Sequence, residues 1–127
     1  MNLAQSGYHL LMILSIVDGK YQQIEGEVIL DFLTKNYDEK FNLDAENRKL
    51  TSLKKEKIAD HFSKSAKEFH LHSTTPQRLD LLTFMIDLAT ADGSITKEER
   101  KIITSLAKSW SIDIEPIFSK KLGSGNA

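Results

Sequence analysis

The chain has 127 residues, about the size of one ordinary domain and too short for two independent ones. Its 17 basic and 18 acidic residues leave a formal net charge of -1, which argues against a protein whose main work is binding nucleic acid or an anionic membrane. There is no cysteine, so disulfide frameworks, thiolate zinc sites and thiol nucleophiles are excluded. The apolar fraction of 40% and charged fraction of 28% are those of a globular protein with one core. The longest apolar stretch runs from Leu10 to Val17, is broken by Ser15 and stops at Asp18, too short to span a bilayer. No basic segment or small-residue cleavage site makes it a signal peptide, so a cytoplasmic location is expected.

Helical spacing recurs through most of the chain, and no hairpin signal sits between alternating apolar runs. The expected fold is therefore all-α, a compact bundle of about seven helices. The first helix starts after Asn2, with Gln5 in a capping-box position, and runs to about Val17. It is apolar on nearly every side, which predicts a central, buried place. A second helix covers about Gln23 to Lys35, with Ile24, Val28, Ile29, Phe32 and Leu33 on one face. Residues 36–52 are polar and read as a loop plus a short helix carrying Leu50 and Leu53. Ile58, Phe62, Ala66 and Phe69 mark an amphipathic helix from about Lys55 to His70. Thr75 and Pro76 open the next, which reaches about Ala91 and is crowded with apolar residues from Leu79 to Leu88. Another follows from Thr96 to Ser109, with Ile102, Ile103, Leu106 and Ala107 inward. A short last helix around Pro116 to Lys121 docks Ile117 and Phe118. The tail, 123–127, is expected to be disordered.

Residues 10–35 set beside residues 84–109 reveal an internal repeat at an offset of 74. Asp18-Gly19 falls on Asp92-Gly93, Tyr21 on Ile95, Glu25 on Glu99, and Val28-Ile29 on Ile102-Ile103. Each copy has a buried apolar helix, a tight Asp-Gly turn, an apolar residue two beyond the glycine, and an amphipathic helix with Glu near its start. The reading is one domain over 1–122, with repeat halves at about 3–35 and 76–109, two related helical hairpins around one core, and a divergent middle at 36–75.

The turn makes sense without any function. Glycine ends a helix cheaply in the left-handed conformation, Asp accepts bonds from turn amides, and Thr96 with Glu99 forms a capping box. A sharper reading starts from spacing. Asp92 to Glu99 matches the fifth to twelfth positions of a calcium-binding EF-hand loop, offering an Asp oxygen, the Ser94 carbonyl and a bidentate Glu99. The first and third positions would be Leu88 and Thr90, and in the other copy Leu14 and Ile16, where a calcium loop needs carboxylates. Each turn is thus a half-site. A full set of oxygens requires the two turns to approach each other, or the recruitment of Asp80 or Asp87. Asp18, Glu25, Asp92 and Glu99 are the candidate metal ligands, and all-oxygen donors favour calcium or magnesium over copper or nickel.

The double pattern, above all DLATADGSITKEERKIITSLA at 87–107, resembles the TerB-like family of tellurite-resistance protein B, whose relatives occur in membrane-anchored DnaJ-type co-chaperones. Ala91-Asp92-Gly93, Ile95 and Glu99 carry the closer likeness; Val17-Asp18-Gly19, Tyr21 and Glu25 form a looser copy. The resemblance implies a bundle of seven or so helices, acidic paired turns suited to a divalent metal, and a stress-response or interaction role in place of catalysis. It says little about residues 36–75.

The remaining constellations are weaker. His70 and His72 are two apart, where a shared helical metal site wants four, and the helix is expected to end before Glu68 could meet His72. His9 and His61 are the other two of the four histidines. Lys54, Lys55 and Lys57 lie among acids without interleaved aromatics, so a solvated face is expected. Asp87 reads as a solvated edge residue and Trp110 as packing. No phosphate-binding glycine loop, nucleophile elbow or zinc-protease helix occurs. The leading function is a non-enzymatic helical binding module of a stress-response type that holds a divalent cation, with a protein partner and no direct membrane insertion. The alternative is a metal-independent, co-chaperone-like interaction domain. A carboxylate-and-metal hydrolase is the third reading, and it lacks a nucleophile, an electrophilic stabiliser and a substrate pocket.

Overall fold

The computed structural model describes residues 1–17, 23–37, 40–91 and 93–122; for 23–25 only the backbone is described. Among them are seven α-helices, one short 3-10 turn and no strand, as helical spacing predicts. The chain divides into two compact units, Met1–Thr74 and Thr75–Ala127. One repeat half lies in each.

In the first unit, α1 (Leu3–Val17) is the central helix. Its start is fixed by a reciprocal cap: the Gln5 N–H donates to Asn2 Oδ1 and the Asn2 N–H to Gln5 Oε1, both at 2.8 Å. Every residue from Ser6 to Ser15 is buried. Such a helix needs cover on several sides, and α2 (Gln23–Asn36), α3 (Leu43–Thr51) and α4 (Ile58–His72) all pack against it. Gly7 permits the closest approach. A Cβ there would stand 3.2 Å from Leu33 of α2 and 3.4 Å from Phe69 of α4. Tyr37 meets Phe69 edge-on, with ring centres 6.0 Å apart.

The second unit pairs α5 (Thr75–Ala89) with α6 (Lys97–Ser109) and α7 (Glu115–Lys121). Leu81, Leu82, Met85 and Ile86 of α5, with Ile103, Leu106 and Phe118, are fully or almost fully buried. Ser111 ends α6 at φ 58° in the left-handed region. The Ile112 N–H then reaches back to the Ala107 carbonyl at 2.9 Å and the Ser111 N–H to that of Lys108 at 3.0 Å, which satisfies carbonyls the helix end would orphan. Trp110 is buried at this end, as packing predicts. Asp87 is exposed and paired with Lys121 at 3.2 Å, the solvated edge position expected of it.

Several boundaries and faces differ from the sequence reading. Lys55–Lys57 is a 3-10 turn, and α4 starts only at Ile58. It continues past His70 to His72, so Glu68 and His72 do meet, at 3.7 Å, one helical turn apart. The Ser73-Thr74 pair ends the helix later than its polarity suggests. Val28 is exposed although its spacing places it with Ile29: among the described side chains of that face Ile29 and Leu33 are buried and Phe32 is half-buried. The α5 helix stops at Ala89, two residues short of Ala91, where Thr90 and Ala91 form a turn. The second hairpin helix begins at Gln23 in one copy and at Lys97 in the other, which reproduces the repeat offset. Tail residues 123–127 lie outside the described residues.

Candidate functional site

Of the four candidate ligands, Asp18, Asp92 and the Glu25 side chain lie outside the described residues, as do Gly19 and Tyr21. Glu99 is well placed. After α5 ends, the Gly93 N–H donates to the Thr90 carbonyl at 2.9 Å. Gly93 has φ 107°, the positive range that a residue with a Cβ rarely adopts, so glycine is required for this turn. Leu88 lies within α5, as the missing EF-hand half anticipates. Ile95 is half-buried behind the turn, and Thr96 is the N-cap of α6.

The capping box forms as its spacing dictates. The Glu99 N–H donates to Thr96 Oγ1 at 3.0 Å, and the Thr96 N–H donates to Glu99 Oε1 at 2.9 Å. Glu99 is only 4% exposed, so its carboxylate is aimed back over the first turn, where the helix dipole favours negative charge. This fits an oxygen donor in chemistry, but Oε1 already serves the helix. Among the described residues no group of three or more acids or imidazoles is arranged to hold a metal ion. Thr96→Ala is expected to lower stability by about 1 kcal/mol through loss of this cap, measurable by urea unfolding.

A second cluster, in the first unit, was not legible in the sequence. His9 on α1 is fully buried, and Glu46 on α3 is 2% exposed. His9 Nε2 lies 2.8 Å from Glu46 Oε1, and His9 Nδ1 lies 2.7 Å from Nε2 of half-buried His61 on α4. The other Glu46 oxygen accepts from Gln5 Nε2 at 3.2 Å and from Lys49 Nζ at 3.3 Å. Beside it the Tyr8 hydroxyl donates to Asn47 Oδ1. Burial pushes the His9 imidazole below the ordinary histidine value, more than its hydrogen bond to Glu46 raises it. His61 is lowered too, first by burial and then by the neighbouring His9, Lys64 and Lys49. Burial alone would raise the Glu46 carboxyl, but the hydrogen bonds from His9, Gln5 and Lys49 and the Lys49 charge together hold it below the usual carboxylate value.

Two units built of helices with no strand among the described residues, the second with α6 capped by Thr96 and Glu99, place the chain in the class of small all-helical domains. The family is narrower than that. The profile of the family described as Tellurite resistance protein TerB matches residues 6–117, nearly the whole chain including the middle segment, and the chain belongs to that family. No curated protein and no solved structure shows a significant match. No helix among the described residues is long and apolar enough to cross a membrane.

Proposed function

We propose that the chain is a non-enzymatic binding module of the stress-response type, and that its duplicated Asp-Gly turns hold a divalent cation through Asp18, Glu25, Asp92 and Glu99. The observation that carries this reading is the repeated Asp-Gly-x5-Glu spacing inside the family match, with the Glu99 carboxylate buried at a helix start. Four carboxylates are hard oxygen donors and suit calcium or magnesium. With no cysteine, the chain has no thiol with which to reduce or capture tellurite, so any role in resistance to that oxyanion is indirect.

One observation favours a metal-independent protein-interaction domain instead. Glu99 Oε1 already accepts the Thr96 N–H, so this oxygen serves its own helix. Thermal melting of the metal-stripped chain with calcium, magnesium, manganese or zinc separates the two. On the cation reading, an ion at 100 times its dissociation constant adds about 2.7 kcal/mol, and the Asp18→Ala plus Asp92→Ala variant loses the effect. A melting temperature indifferent to every ion supports the interaction domain. Asp92→Ala would then cost folding stability alone.

A further inference from the structure

The Glu46–His9–His61 chain joins three helices through one row of hydrogen-bonding atoms, and its proton count is constrained. A carboxylate can only accept, so His9 Nε2 carries the proton shared with Glu46 Oε1. Neutral His9 then offers a lone pair at Nδ1, which accepts from His61 Nε2–H. In this state every contact is satisfied and both imidazoles are neutral. One extra proton is accommodated, because half-buried His61 can take it on its own Nδ1 without disturbing the bond to His9. A second is not. It must go to His9 Nδ1, and two N–H groups on two cations would then face each other across 2.7 Å.

We propose that Glu46, His9 and His61 form a pH-sensitive latch that holds α4 against α1 and α3 and opens when both imidazoles are protonated.

The surroundings set the direction. On α3, Glu46 attracts protons to His9 while Lys49 repels them; ahead of α1 the Met1 amine repels them, and on α1 the Tyr8 ring lies edge-on to His9. On α4, Lys64 disfavours the charged form of His61. Among the described residues, α2 contributes no charge to the cluster. Lys49, Lys64 and the N-terminal amine around the two imidazoles therefore resist the second proton. Glu46, His9 and His61 do not make a metal site, since Glu46 and His61 meet opposite nitrogens of the His9 ring, and no three acids or imidazoles among the described residues are arranged to hold an ion.

The pH dependence follows from linkage. Unfolded histidines bind protons below about pH 6.5, whereas the folded pair resists them, so the stabilisation is complete above that value. It is lost as the pH falls through the lowered folded values. In the pH range where unfolding takes up one more proton, the opening equilibrium shifts about tenfold per pH unit.

The test compares the full chain with His61→Gln in metal-free buffer, by amide hydrogen exchange corrected for intrinsic rates between pH 7.5 and 5. The glutamine side chain can donate to His9 Nδ1 or, turned over, accept from it, so the variant stays latched in either state of His9. The latch predicts that α4 protection in the unsubstituted chain falls about tenfold or more over this range, while the variant loses clearly less, keeping only what the buried His9 contributes by itself. Histidine NMR titration of the unsubstituted chain should give two coupled steps for His9 and His61, the lower one coinciding with the loss of protection. Equal loss of protection in both proteins overturns the proposal. So does a single uncoupled step for His9 and His61 near pH 6.5, whether or not the variant folds. Because metal is absent throughout, neither result bears on the cation reading.

Discussion

Glu46→Ala lowers the stability of the chain by about 3 kcal/mol at neutral pH, read as the shift in urea unfolding at constant slope. The carboxylate is 2% exposed and accepts from three side chains on two helices. Hydrogen bonds to a charged group contribute about 1.5–3 kcal/mol, and their loss leaves the His9 N–H buried without its acceptor. Gln5 and Lys49 are less affected, since Gln5 is only half-buried and Lys49 is exposed enough to turn to water. Glu46→Gln keeps the acceptor toward His9 but sets an amide N–H₂ against two donors, so it falls between the two. The contribution has a pH signature of its own. Because the folded carboxyl is held below its ordinary value, it stabilises fully above about pH 4.3 and is lost as the pH falls through the folded value. That window opens at a lower pH than the histidine one, which begins at about pH 6.5. A change below about 0.5 kcal/mol on Glu46→Ala would mean the cluster is incidental to the fold.

Phe69→Ala is expected to cost about 3–5 kcal/mol, the range for deleting a fully buried aromatic ring. Phe69 is wholly inaccessible and fills the space left where α4 crosses α1 at Gly7. The site cannot collapse easily. Its neighbours are the α1 backbone at Gly7, the buried Leu33 and the Tyr37 ring, none of which can swing in without breaking other contacts. Thermal unfolding reports the cost, and a melting point within two or three degrees of the parent would contradict this account of the first unit's core.

Local physics made the helices legible. The Asn2–Gln5 and Thr96–Glu99 boxes could be read because each needs only residues three apart, and both are closed in the structure. The buried face of α6 is also legible in part: of the four residues its spacing turns inward, Ile103, Leu106 and Ala107 are buried and Ile102 is half-buried. Local spacing said less about Val28, where the burial of a whole stripe depends on what covers it. It said nothing about the histidine cluster. His9 meets Glu46 across 37 residues and His61 across 52, and no periodicity links them. Glu46 was also hidden by its company: α3 reads LDAENRKLT, a polar helix in which a buried carboxylate looks like every exposed one. One signal was available. His9 interrupts a helix buried from Ser6 to Ser15, and a polar ring at such a place needs partners. At the repeated turns, Glu99 closes the capping box its spacing predicts, which leaves its place as a metal ligand untouched, while Asp18, Asp92 and the Glu25 side chain fall outside the described residues.

Calorimetric titration of calcium and magnesium into the metal-stripped chain, beside the Asp18→Ala plus Asp92→Ala variant, tests the binding role most directly. Saturable heat from the parent chain, absent from a variant that still folds, is the outcome expected of cation-holding turns. Heat no different from dilution for both proteins contradicts it, and leaves those turns as helix connections alone.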